Sequence, residues 1–191
     1  MTFLRTKIPD VVICEPTVHG DDRGYFVETF RQDKLEDFLG LKLNFCQDNE
    51  SKSSQGVLRG LHYQLPPHAQ TKLVRVIKGR VLDVAVDIRK GSPTFGQYVA
   101  IEITEENKRQ VLVPRGFAHG FVVLSKEAIF AYKVDNYYSP ECDRGIAYDD
   151  KDLNINWQID TTKLQLSTKD TQQPKFKETT DLFEYGINYY D

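Results

Sequence analysis

Cysteine is scarce in this 191-residue sequence, and the three present (Cys14, Cys46 and Cys142) are odd in number and far apart. No CxxC or CxxH spacing exists, so neither a disulfide framework nor a zinc site is indicated, and the composition suits a reducing cytosol. A charge excess of one sign is missing as well. Lys+Arg at 25 against Asp+Glu at 28 leave a net charge of -3, whereas nucleic-acid modules usually carry a basic surplus. Long apolar runs are also lacking: the longest, around residues 111–124, is broken by Pro114, Arg115 and His119 and cannot span a bilayer. The first ten residues are interrupted by Arg5, Lys7 and Asp10 and hold no signal-peptide core. The expectation is a cytoplasmic protein that engages neither membrane nor nucleic-acid polymer. No Gly-rich P-loop or GxGxxG occurs, which removes the usual NTPase and Rossmann readings.

What is present is ordinary globular chemistry, with 40% hydrophobic and 12% aromatic residues over a length that suits one domain. Over residues 81–88, Leu82, Val84, Val86 and Ile88 alternate with Val81, Asp83, Ala85 and Asp87, a period of two. Similar runs follow at 98–103, 111–113, 120–124 and 128–134, separated by Gly, Pro and Asn turn signals. Short, regularly spaced strands of this kind predict an all-β antiparallel sandwich or barrel, a jelly roll with a few short helices. One helix is expected over residues 32–39, with Leu35, Phe38 and Leu39 on one face. The last forty residues show weaker periodicity: a helical turn near 150–153, a polar loop, then an aromatic tail with Phe176, Phe183, Tyr185, Tyr189 and Tyr190.

Two of the four histidines sit in unusual company. His62 lies in Leu58-Arg59-Gly60-Leu61-His62-Tyr63-Gln64, followed by Lys72 and Arg75. His119 lies in Pro114-Arg115-Gly116-Phe117-Ala118-His119-Gly120, and this Pro-x-Gly-x-x-His spacing resembles the second motif of the cupin superfamily. Metal-binding cupins carry HxH and a nearby Glu in their first motif. Here Tyr63 and Gln64 follow His62, and Lys72 supplies no lone pair while protonated and repels a cation. No metal is therefore expected. Taken alone, His119 reads equally well as a buried histidine satisfied by the backbone.

Seven segments together resemble the dTDP-4-dehydrorhamnose 3,5-epimerase family, in the family's order, from about residue 3 to about 176. They include Gly20-Asp21-Asp22-Arg23-Gly24-Tyr25-Phe26-Val27-Glu28, Gln47-Asp48-Asn49-Glu50-Ser51, the His62 and His119 motifs, Lys72-Leu73-Val74-Arg75, Asp83-Val84-Ala85-Val86-Asp87 and Tyr132-Lys133. The resemblance implies one cupin domain over residues 1–191, with a core at about 40–140 and terminal segments packing on it or on a partner chain. It further implies a homodimer that inverts C3 and C5 of dTDP-4-dehydro-6-deoxy-D-glucose without metal or other cofactor.

Both carbons are alpha to the C4 ketone, so inversion needs a base on one face, stabilisation of the enolate oxygen, and an acid on the other face. The resemblance assigns His62 as the base, a role suited to an imidazole at neutral pH, with Asp170 as its orienting carboxylate. It assigns Lys72 to the enolate and Tyr132 as the acid. On the bare sequence Asp170 and Lys72 read as surface residues, and Tyr132 reads as core. For the rest of the substrate, Arg23, Arg59 and Lys169 are expected to meet the diphosphate. Glu28, Gln47 and Asn49 would meet the nucleoside, Tyr138 would stack on thymine, and His119 would touch sugar or phosphate. Asp143 stands where many relatives carry Glu, which leaves a ligand contact there in doubt. Tyr148, in place of Trp, reads as a packing variation. The competing readings are an epimerase or ketoisomerase acting at one carbon, a cupin that binds a sugar nucleotide without turning it over, and, ranked last, a metal-dependent oxygenase.

Overall fold

The computed structural model describes residues 1–190. Its strands are β1 (Thr2–Arg5), β2 (Val12–Glu15), β3 (Val18–Asp21), β4 (Gly24–Val27), β5 (Gln47–Ser54), β6 (Leu58–Gln64), β7 (Lys72–Lys78) and β8 (Arg80–Asp87). There follow β9 (Arg89–Lys90), β10 (Tyr98–Thr104), β11 (Gln110–Val113), β12 (Phe117–Val123), β13 (Glu127–Val134), β14 (Asp143–Gly145) and β15 (Phe183–Glu184). Helices α1 (Gln32–Leu39) and α2 (Thr168–Thr171) complete the regular structure, with two 3₁₀ turns. A six-stranded sheet ordered β1-β2-β11-β7-β13-β5 faces a five-stranded sheet ordered β10-β8-β12-β6-β14. Every neighbouring pair within both sheets is antiparallel. This is the expected jelly roll.

The period-two pattern decides what each sheet buries. On β8, Val81 and Ala85 point between the sheets and join Val74, Val76, Phe121 and Phe130 in the central core. Leu82, Val84 and Val86 point the other way and pack under Trp157, Phe176 and Phe183 from the C-terminal third. Both faces of β8 are therefore buried, so its aspartates lie in the interior: Asp83 is 1% and Asp87 0% exposed.

The outer face of the six-stranded sheet is covered by α1, whose Leu35 and Phe38 meet Val12, Cys14, Leu73 and Leu112. Gly40, in the left-handed region at φ 67°, ends that helix by returning its N–H to the Glu36 carbonyl at 2.8 Å. Burial pushes the Cys14 thiol up to about 12, and all three cysteines are free. The helical turn expected at 150–153 is one turn, closed by Asn154 N–H on the Asp150 carbonyl at 2.9 Å. Among the described residues no helix is long and apolar enough to cross a membrane.

Candidate active site

Between the two sheets lies a cavity of about 690 Å³. Its five-stranded wall carries Arg59 and His62 from β6 and His119 from β12. Its six-stranded wall carries Lys72 from β7, Tyr132 from β13 and Asn49 from β5, while Lys169 and Asp170 on α2 complete the rim. The four residues expected to perform the chemistry thus share one space, together with four of those expected to bind.

Arg59 and His62 are three residues apart, and strand alternation would put them on opposite faces. The β6–β12 ladder resolves this. His119 pairs with His62, but Phe121 pairs with Arg59, so β6 carries one extra residue between these pairs. Gly60 occupies the bulge at φ 124°, and a Cβ there would meet the Gly120 Cα at 2.5 Å. Only glycine permits this approach. Leu58, Leu61 and Tyr63 meanwhile face the outer core.

His62 Nε2 lies 2.6 Å from Asp170 Oδ1. Burial alone would raise the Asp170 pKa, but bonds from His62, Ser167 and the Gly60 backbone more than offset it, so the carboxyl stays below its usual range. An ionised carboxylate only accepts hydrogen bonds, so Nε2 carries the proton and the ring's lone pair is left on Nδ1. Ser167 Oγ donates to Asp170 Oδ2 at 2.7 Å and accepts from the Asp170 N–H at 3.1 Å, capping α2. Sequence reasoning missed Ser167, although Ser-x-x-Asp is a helix-start signal.

On the facing wall, burial pulls the Lys72 ammonium down to about 8, against the pull of Asp143 and Asp83 toward a higher value. Burial raises the Tyr132 phenol, Arg59 acting the other way, so it remains a proton donor at neutral pH. Tyr132 also packs on the central core, so the core reading of that residue captures half of its environment.

His119 is buried, with Nε2 2.8 Å from Asp83 Oδ2. Asp83 Oδ1 is buried without a hydrogen-bond partner among the described residues. The signal for Asp83 was an acid on the inward face of an apolar strand, and sequence reasoning did not use it.

The remaining expected residues lie at the rim or away from it. Gln47 is not among the lining residues but donates to Asn49 Oδ1 at 2.8 Å. Tyr138 donates to Asp143 Oδ2 at 3.1 Å, and Lys169 pairs with the same carboxylate. Asp143 therefore holds both of these side chains. Arg23 and Glu28 are outside the cavity of their own chain. Arg23 sits 90% exposed at the tip of the β3–β4 hairpin, paired with Asp21, and Glu28 pairs with Arg31. Tyr148 packs its side chain against the outer core, a packing role, and its backbone carbonyl accepts from Trp157 Nε1 at 2.9 Å. Among the described residues no cluster of three His, Cys, Asp or Glu side chains could hold a metal ion.

The profile of a family described as dTDP-4-dehydrorhamnose 3,5-epimerase matches residues 5–178. A protein of that name from Shigella flexneri is 56% identical over 176 residues, covering 92% of this chain and 96% of the relative. The crystal structure of a dTDP-6-deoxy-D-glucose-3,5-epimerase from Legionella pneumophila, in complex with dTDP-4-keto-L-rhamnose, superposes with a TM-score of 0.93. It is 47% identical, and the match covers 97% of this chain and 99% of that one. A 3'-monoepimerase from Streptomyces bikiniensis in complex with dTDP-quinovose gives 0.89 at 31% identity, covering 95% and 92%. This chain belongs to the dTDP-4-dehydrorhamnose 3,5-epimerase family.

Proposed function

We propose that this protein epimerises dTDP-4-dehydro-6-deoxy-D-glucose at C3 and C5, giving dTDP-4-dehydro-L-rhamnose. One observation carries the reading: a histidine–carboxylate pair and a protonated phenol stand on opposite sheets of one cavity. A sugar ring held between the sheets would present one face to His62 and the other to Tyr132. His62 Nδ1 takes the proton alpha to the ketone, and Asp170 stabilises the imidazolium that forms. The electron pair moves to the C4 oxygen, where the Lys72 ammonium meets it in a site largely withdrawn from water. Tyr132 then delivers a proton to the carbon from the opposite face, which inverts it. His62 releases its proton to solvent and the Tyr132 phenolate takes one up before the cycle repeats at the second carbon. Arg59 and Lys169 serve the diphosphate, Asn49 and Gln47 the nucleoside, and Tyr138 stacks on thymine. His119 lines the same space and contacts the sugar.

Arg23 and Glu28 enter this reading through a second copy of the chain. The β3–β4 hairpin exposes Tyr25 at 60%, with Lys108 over its ring at 4.3 Å, and Phe26 at 70%. In a homodimer the hairpin would bring Arg23 and Glu28 to the partner's nucleotide. Three free thiols fit a reducing, cytoplasmic setting.

Kinship with a 3'-monoepimerase makes inversion at C3 alone the second reading. Incubation with the 4-keto sugar nucleotide in deuterated water, followed by NMR, separates the two. Label and inversion at both carbons support the double epimerase. Inversion at C3 alone selects the second reading, and inversion at C5 alone or no exchange at all refutes both.

A further inference from the structure

Apart from Phe176, the aromatic tail lies past residue 178, where the family match ends, and the reaction scheme does not use it. Its course is nevertheless tied to the cavity. Lys72 begins β7 and is the register partner of Val113 on β11 and Val134 on β13. Just beyond those three positions stand Thr71, Arg115 and Asp135. Thr71 is 0% exposed, its N–H meets Asp135 Oδ1 at 2.6 Å, and its carbonyl accepts the Asp135 N–H at 3.3 Å. The Arg115 guanidinium pairs with Asp135 Oδ2 at 3.1 Å, and the Asp135 side chain is 2% exposed.

The tail closes this network. The Tyr190 hydroxyl lies 3.0 Å from Thr71 Oγ1 and accepts the Arg115 N–H at 3.3 Å. The Arg115 guanidinium stacks on the Tyr190 ring at 4.9 Å and donates to the Tyr189 carbonyl. Tyr189 is anchored in turn, its ring 4.8 Å from Phe183 and its hydroxyl accepting the Glu184 N–H at 2.8 Å.

We propose that Tyr190 is a positioning residue, which clamps the ends of β11, β7 and β13 and thereby fixes Lys72 and the Arg115 segment that leads to His119. One hydroxyl thus joins the residue preceding Lys72 to the segment carrying the Pro-x-Gly-x-x-His motif. Buried polar groups in such a network hold one geometry when all are satisfied, and loosen together when one partner goes. A displacement of about 1 Å at a group stabilising charge can cost up to about 10²-fold in rate. The inference rests on the proposed function for its kinetic readout.

The test compares wild type, Tyr190→Phe and a chain ending at Glu184, by steady-state kinetics and by hydrogen–deuterium exchange of the whole protein. Tyr190→Phe keeps the ring and removes the hydroxyl. It is expected to lower kcat about tenfold with KM within about twofold, since the loss falls on the transition state. Amides at 71–76 and 115–120 should exchange faster, and the shortened chain should show the same signature more strongly. Faster exchange with unchanged kcat would make the tail merely structural and overturn the proposal. Unchanged exchange in both variants would also overturn it. A wild-type protein inactive on the 4-keto sugar nucleotide would refute the proposed function instead, while the exchange data would still test the clamp.

Discussion

His62 and His119 are register partners across the β6–β12 ladder, and each imidazole meets a different aspartate through its Nε2. The two pairs differ in how their carboxylates are held. Asp170 comes from the C-terminal layer and takes a second bond from Ser167, whereas Asp83 comes from the adjacent strand and leaves Oδ1 unpartnered among the described residues. The fully bonded pair is the one to which likeness to the family assigns the proton transfer, and its ionised, doubly held carboxylate fixes the tautomer of its histidine.

His62→Ala is expected to fold and to lose both solvent exchange and inversion, by about 10² to 10⁴ in rate. Asp170→Asn should impair the same step, because an amide can donate to Nε2 and leave the proton on Nδ1. Deuterium incorporation followed by NMR measures both. Near-normal exchange in folded His62→Ala would remove this residue as the base.

Tyr132→Phe retains the ring that packs on Phe130, 6.2 Å away, and loses the donor hydroxyl. Exchange into the starting stereoisomer should persist while net inversion falls, since reprotonation then comes mainly from the His62 face. Normal inversion of both carbons would leave Tyr132 a packing residue only.

Lys72, held near 8 by burial, should impose an alkaline limb: activity falls as pH rises through about 8 and the ammonium is lost. Lys72→Arg keeps the charge, so its limb should move upward even though kcat drops. The sign for stability is opposite. A folded pKa below the unfolded value means that the native state binds fewer protons between about 8 and 10.5, so stability rises with pH across that window. Lys72→Met should abolish this rise and melt no lower than wild type at neutral pH, as read by thermal scans at several pH values.

Activity should be retained in full after exhaustive chelation, with no stoichiometric metal by elemental analysis. Recovery that depends on one specific divalent ion would overturn both this expectation and the part given to Lys72.

Light scattering should report a dimer at micromolar concentration. Arg23→Ala should raise KM with little change in kcat, the pattern of a contact made equally in ground and transition states. An active monomer would remove the hairpin from the nucleotide site.

The residues that were legible in the sequence are those whose neighbours impose a period. β8, β12 and β13 alternate because both sheets bury apolar side chains, and α1 shows its stripe of Leu35, Phe38 and Leu39. β5 has no such stripe. It is a sheet edge of polar residues, Gln-Asp-Asn-Glu-Ser-Lys-Ser-Ser, in which only Ser53 is buried, so hydrogen bonding to β13 alone makes it a strand. α2 is four residues long and lies below any periodic signal. The pairing of His62 with Asp170 spans 108 residues. No local rule reaches that far, and only likeness to a family suggested it. The Asp83 contact was hidden differently, because an aspartate in an apolar strand looks like a break in the pattern until both faces are known to be covered.

The bulge at Gly60 has a consequence for what the cavity can measure. A regular strand is a ruler marked only at even intervals, and the extra residue converts an odd interval into one that serves a single wall. It does so between Arg59, assigned to a phosphate, and His62, assigned to a sugar carbon. The spacing of those two chemical groups on the ligand is then encoded in the backbone. A ligand with a longer or shorter bridge between sugar and phosphate would call for a relocated bulge, and no exchange of Arg59 or His62 could supply it. Under those assignments, part of the selectivity for a sugar carried on a diphosphate resides in a residue that has no side chain with which to touch it.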